Sequence, residues 1–261
     1  MRRIILSYLK KLANIKNLSR LLIFFFIINE KKRLFSLIFF KKSQIISFKY
    51  NGKIVRLSVR DIVDLAIIFE IFVSKIYPME ESNSEEVIFD VGAHSGFFTI
   101  YAKTFMPNAI VYLFEPEPSS FKNLEKNLAL NNLDHDLKTK IYNFGLSDIN
   151  QEATFYRNKS SAYSSLFKRN DSSISIKVHL KSLVNFLDEN KIKSIDLLKI
   201  DIEGGEYDLL LRLDHKRFKD IGKLFVEIHK IEDKNRVGLV DLLKNNFKMF
   251  RQRGIVFYFY Q

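Results

Sequence analysis

Residues 87–96 read VIFDVGAHSG. An apolar run carries the acid Asp90 near its end, and Gly92 and Gly96 then bracket a sharp turn into a helix spanning residues 97–105. Glycines at such a turn let a ligand approach the backbone closely, and Asp90 can either fix the turn or meet a cationic amine. Working outward, short apolar strands alternate with helices. Strands are predicted at residues 87–91, 109–115, 138–144, 195–202, 223–229, 247–251 and 255–260. Helices are predicted at 97–105, 119–130, 183–190, 206–213 and 237–245. This alternation predicts an α/β fold: a seven-stranded, mostly parallel sheet with helices on both faces. The last two strands, joined by a short turn at 252–254, form its antiparallel C-terminal edge. Ligands of such sheets bind beyond the carboxyl ends of the strands. Residues 151–177 are polar, Ser-rich and poorly periodic, which predicts a hairpin or flexible loop near that rim.

Three stretches follow from this pattern: a basic N-terminal segment (1–44), a hairpin and helix (45–85) and the core domain (86–261). Residues 45–50 and 53–59 flank Asn51-Gly52, a pair that supplies the φ > 0 positions of a tight hairpin turn. Asp61 then caps a helix running to residue 72, with Ile62, Leu65, Ile68 and Phe69 on one stripe, before Tyr77-Pro78 ends it.

Charge separates the first stretch from the rest. The chain has 42 Lys or Arg and 30 Asp or Glu, a formal +12. Residues 1–60 hold 15 of the bases and only Glu30 among the acids, giving +14, so residues 61–261 hold 27 and 29, giving −2. The main domain therefore offers no basic groove for nucleic acid, and the excess belongs to a separate anionic partner of the first segment. The apolar run 21–28 is far short of the ~20 residues a membrane span needs, and no small-residue cleavage site follows it. Ile5, Tyr8, Leu9, Leu12, Ile15 and Leu22 recur at helical spacing among lysines, as in a basic amphipathic helix on a membrane surface; packing on the protein's own core or on a dimer partner is the competing reading. With no cysteine in 261 residues, disulfides, thiolate metal sites and cysteine nucleophiles are excluded, and the cytoplasm, at the inner face of the membrane, is the expected compartment.

The cofactor follows from spacing. Glu115 closes the second strand 25 residues after Asp90, where a carboxylate can hydrogen-bond both hydroxyls of a ribose. The turn is G-x-x-x-G, not the G-x-G-x-x-G that offers amides to a pyrophosphate, and bulky Phe97 and Phe98 follow it. No Walker lysine motif is present. A nucleoside without phosphates fits, and S-adenosylmethionine has that character.

VIFDVGAHSGFFTIYA, VYLFEPEPSSFKNLEKNL, NFGLSD at 143–148, LLKIDIEGGEYDLL at 197–210 and FVEIH at 225–229 together resemble the FkbM-type methyltransferases, a class I, Rossmann-like family that uses S-adenosylmethionine. The resemblance covers about residues 61–260 in motif order. His94 stands where Asn is usual and Gly205 where Ala is common. The resemblance implies that Asp90, Gly92, His94 and Gly96 contact the methionine part of the cofactor, Glu115 and Pro116 the ribose, and Gly145, Leu146 and Ser147 the adenine. It places Asp201 beside the sulfonium.

Methyl transfer to oxygen is mainly alignment plus removal of one hydroxyl proton. Asp201, Glu203 and Glu206 cluster on one strand-to-helix turn, and Glu227 and His229 share one face of the next strand by period-two alternation. His229 or Glu227, oriented by Glu203, is the expected base, with the carboxylates keeping His229 available near neutrality. Helix capping by Asp201 and Glu203 is the competing reading for those two. The same oxygen-rich set could hold Mg²⁺ or Ca²⁺, but no metal is assigned. Base methylation loses its stacking platform, since KIDIEGGE replaces the Pro-Pro-aromatic motif. The family implies O-methylation of sugars, glycans or polyketide-like metabolites, and a surface glycan suits the membrane-seeking segment best. An RNA methyltransferase with a basic arm and a non-catalytic tethered module are the alternatives.

Overall fold

The structure is a computed structural model that describes residues 28, 29, 37, 43–157, 164, 165, 174–229 and 233–261. Most of the basic amphipathic stretch at 1–44 lies outside the described residues. Its Ile28 and Leu37 are buried against the hairpin core, and Asn29 N donates to Ser47 O at 3.0 Å. No helix among the described residues is long and apolar enough to cross a membrane.

Strands β1 (Gln44–Tyr50) and β2 (Lys53–Val59) form the hairpin. Asp61 caps α1 (Ile62–Ile68) by accepting from Val63 N and Asp64 N at 2.9 and 3.0 Å, and α1 passes directly into a π-helical turn, Phe69–Val73. The hairpin is not a separate body. Phe48 and Tyr50 meet Phe72 edge-on at 5.1 Å, and Phe72 meets Tyr101 at 5.3 Å, so hairpin, α1 and the sheet share one apolar core. The outer edge of β2 would otherwise present unpaired backbone groups. Three asparagines one turn apart, two on the helix Pro118–Leu130 and one at its C-cap, cover it: Asn127 accepts from Ser58 N, Asn123 donates to Ser58 O, and Asn131 bonds both N and O of Arg56.

The central sheet comprises β3 (Val87–Val91), β4 (Ile110–Phe114), β5 (Thr139–Tyr142), β10 (Ile195–Ile200), β11 (Ile221–Glu227), β12 (Met249–Arg253) and β13 (Val256–Tyr260). Its order is β12-β13-β11-β10-β3-β4-β5, parallel from β11 to β5, with β13 antiparallel to both neighbours. This is the class I methyltransferase-like arrangement expected, with the C-terminal hairpin as its antiparallel edge; β12 is outermost and β13 lies inside it. Helices α2 (Phe97–Phe105) and α3 (Pro118–Leu130) join the hairpin on one face. Helices α4 (Leu183–Glu189), α5 (Glu206–Leu211), α6 (His215–Phe218) and α7 (Asp233–Asn246) cover the other.

The hairpin expected in the polar stretch after residue 150 is present among the described residues, as part of a second sheet. β6 (Gly145–Ser147), β7 (Gln151–Arg157), β8 (Ser164–Ser165) and β9 (Ile174–Ser182) make a second sheet ordered β6-β9-β7-β8. β7 and β9 pair antiparallel, Gln151 opposite Leu180. One face buries Phe155, Val178 and Leu180, a stripe too short to register against so many serines in the sequence.

Candidate active site

The turn between β3 and α2 folds back over the strand ends. Gly92 N and Ala93 N donate to Phe114 O, both at 3.0 Å, and Asp201 N donates to Val91 O at 3.0 Å. Gly92 has φ +78°, and a Cβ there would overlap the Asp201 carbonyl oxygen; only glycine lets the turn and the end of β10 come this close. His94 also has a positive φ, +50°, a strained state for a side-chain-bearing residue that neighbours must hold. Gly96 turns the chain into α2 and rests on Leu124.

Glu115 is the main holder. Its Oε2 accepts from His94 N and its Oε1 from Glu117 N, both at 2.8 Å. Burial pushes its carboxyl up to about 7, against the pull of those two amides. It lines a cavity beyond the strand ends together with Gly92, His94, Pro116, Gly145, Leu146 and Ser147. Gly145, Leu146, Ala153, Phe155 and Leu180 all line it, so the second sheet forms part of the cavity wall. Asp90 and Gly96 do not line it. Asp90 is buried below, accepting from Thr99 Oγ1 at 2.7 Å and ion-paired with Lys199 at 3.0 Å; it fixes the turn and does not reach out to a ligand amine.

At the other end of the cavity stand Asp201, Glu203 and Glu227, near Gly92 and Tyr77. His229 adjoins them, its Nε2 3.6 Å from Glu203, 3.6 Å from Glu227 and 3.8 Å from Asp201. Its orienting partner is Glu206, not Glu203: Nδ1 lies 2.8 Å from Glu206 Oε1. Glu206 is fully buried and also accepts from Ile202 N and Gly204 N. It therefore ties the β10–α5 turn together, the capping task considered for Asp201 and Glu203. Burial alone would lower the His229 pKa, but the Glu206 bond and the surrounding acids raise it to about 10. His229 is thus an imidazolium at neutral pH, and the expectation that the carboxylates leave it available as a base fails for that reason. Burial, then Asp201, push Glu227 up to about 8. Glu227 is mostly protonated at neutral pH as well, but it ionises at lower pH than His229, so of the two expected bases it is the first to gain a lone pair as pH rises.

The family model for the methyltransferase FkbM domain matches residues 90–253, more than half of the chain. This chain belongs to the FkbM methyltransferase family. Methyltransferase 1 of Beauveria bassiana is 29% identical over 177 residues, 61% of this chain and 71% of that protein. The 31-O-demethyl-FK506 methyltransferase FkbM of Streptomyces tacrolimicus is 25% identical over 195 residues, 62% and 74% of the two chains. A solved FkbM methyltransferase from Methylobacillus flagellatus KT aligns with TM-score 0.48 at 16% identity over 72% of this chain and 46% of that one.

As an FkbM methyltransferase the enzyme uses S-adenosylmethionine, which supplies a methyl group carried on a positive sulfur. The cavity suits it. Glu115 retains lone pairs for ribose hydroxyls after serving two amides, and acids crowd the end where positive charge would lie. Among the described residues one lysine lines the cavity, Lys199, and it is committed to Asp90 and to Gly92 O at 2.7 Å rather than to a pyrophosphate. Among the described residues, Asp201, Glu227 and His229 also stand close enough to share a metal ion.

Two groups of functional residues escaped the sequence reading. Lys199 carried a signal, a charge in the buried strand LLKI, which only a buried counter-charge can stabilise. Glu70 and Ile71 in the π-helical turn and Tyr77 just after it, which line the cavity, carried none, because their placement depends on how that segment packs over the sheet.

Proposed function

We propose that this FkbM methyltransferase O-methylates a hydroxyl of a sugar or surface glycan. The observation that carries the reading is Glu227, a carboxyl on the cavity wall with a raised pKa, beside an imidazolium locked by Glu206. As the acceptor oxygen bonds to the methyl carbon and the carbon–sulfur bond breaks, Glu227 takes the hydroxyl proton, and His229 stays charged and steadies the new arrangement of acids. Tyr77 and Ile71 wall the acceptor end, while Glu70 and Glu203 suit hydroxyl donors and repel phosphates. A relative named for acting on a 31-O-demethyl compound supports transfer to oxygen.

The basic residues of 1–44 add to this reading a peripheral contact with an anionic membrane at its cytoplasmic face, where lipid-linked glycans are presented. Vesicle sedimentation that salt reverses is the expected result. The decisive experiment is mass spectrometry of cell glycans with and without the gene. A glycan lighter by one methyl substitution in the deletion strain is expected. Unchanged glycans, with a salt-dependent RNA complex of the purified protein instead, would replace the acceptor with RNA.

A further inference from the structure

The family match begins at residue 90, yet the cofactor turn is gripped from a residue well before it. Arg60 follows β2 directly and precedes the Asp61 cap. Its Nε lies 3.0 Å from Asp64 Oδ2 and its Nη2 3.1 Å from Asp64 Oδ1, while Arg60 N donates to Oδ2 at 2.8 Å. Asp64 is fully buried, so this two-pronged pairing fixes the plane of the guanidinium. Nη2 then reaches Ser95 Oγ and His94 Nε2, each at 2.8 Å. An arginine keeps its protons, so His94 Nε2 accepts and the ring proton sits on Nδ1.

Ser95 is fully buried and held from the opposite side as well. Asn123 Nδ2 donates to its Oγ at 3.0 Å and Asn127 Nδ2 to its carbonyl at 2.8 Å. The strained His94 backbone thus has Glu115 on its amide and Arg60 on its ring. His94 lines the cavity; Arg60 does not.

We propose that Arg60, aimed by Asp64, is a positioning residue for the cofactor turn: it sets S-adenosylmethionine affinity through His94 and Ser95 without touching the cofactor. The hairpin and α1 are then a working part of the methyltransferase site. This rests on the family's cofactor and not on any choice of acceptor.

The test is calorimetric titration of the full-length protein with S-adenosylhomocysteine. Arg60→Ala is expected to weaken binding about tenfold, the scale of a lost charge-assisted hydrogen bond. Arg60→Lys keeps a charge against Asp64 but cannot fork to both turn residues, so it does not restore affinity; it carries the test alone if Arg60→Ala proves unstable. Asn131→Ala removes the bonds to Arg56 on the same hairpin and touches neither His94 nor Ser95. It is expected to lower the melting temperature and leave affinity within about twofold. The double variant Arg60→Ala/His94→Ala is expected to lose less than the product of the two single losses, because the two share the Arg60–His94 contact while the bond to Ser95 is Arg60's alone. Wild-type affinity in Arg60→Lys, multiplied losses in the double variant, or an affinity loss in Asn131→Ala that tracks its melting temperature would each overturn the proposal and leave Arg60 a fold-holding residue only.

Discussion

Lys199 Nζ lies 3.0 Å from Asp90 Oδ1, and both side chains are buried, 4% and 0% exposed. The lysine also donates to Gly92 O at 2.7 Å, so one cation joins the end of β3, the turn that follows it and β10. Burial alone would lower the Lys199 pKa; Asp90 and Asp201 reverse this, and the net shift is upward. Lys199→Met leaves Asp90 charged with only Thr99 beside it and is expected to cost about 3–5 kcal/mol of stability. Adding Asp90→Asn removes the stranded charge and is expected to restore part of that loss. Thermal unfolding of the two variants measures both, and a double variant no more stable than Lys199→Met alone would deny the pairing.

Glu227 accepts a proton only when ionised. With its pKa at about 8, methyl transfer is expected to rise with pH by roughly tenfold per unit below that value and then level off. A positive sulfur nearby lowers the midpoint with cofactor bound. The rate is expected to fall again only as His229 loses its proton, near 10. Glu227→Gln removes the rising limb and lowers the rate by about 10²–10⁴-fold, followed as release of S-adenosylhomocysteine across a pH series.

Glu115→Ala removes the carboxylate proposed to meet the ribose and strands two backbone amides, so cofactor binding is expected to weaken by about 1–3 kcal/mol in calorimetry. Stability gives a second readout. The Glu115 carboxyl is held near 7 in the fold, above its ordinary 4.5. The fold therefore binds this proton more tightly than the unfolded chain, and the associated stability is fully present below pH 4.5 and lost as pH rises to 7. The melting temperature of the wild type is expected to fall across that window relative to Glu115→Gln.

Leu37 is 2% exposed and Ile28 1% exposed, both against the hairpin core. Leu37→Ala is expected to cost about 2–4 kcal/mol by chemical denaturation. A chain cut back to residue 44 loses both side chains, so it is expected to melt lower than the full-length protein as well as to leave anionic vesicles. An unchanged stability would return residues 1–44 to membrane attachment alone.

Local pattern was enough for much of the architecture. The apolar runs and glycine turns fixed strand and helix order, because burial on both faces leaves a parallel strand little choice but to be apolar. Asn51-Gly52 and the Asp61 cap were readable for the same kind of reason: each depends on a few neighbouring residues. Motif order carried the family, and with it the cofactor. The sheet β6-β9-β7-β8 was only half legible, since its buried face holds three side chains amid serines.

The electrostatics were legible only in part. Whether His229 is a base or an imidazolium depends on Glu206 standing 2.8 Å from Nδ1, across 23 residues of sequence. Whether Asp90 meets a ligand or a lysine depends on which strand pairs beside β3. The position of Arg60 under the cofactor turn depends on where the hairpin docks. Residue types say which groups can carry charge; the charge they carry is set by burial and by neighbours that only the folded chain brings within a few ångströms.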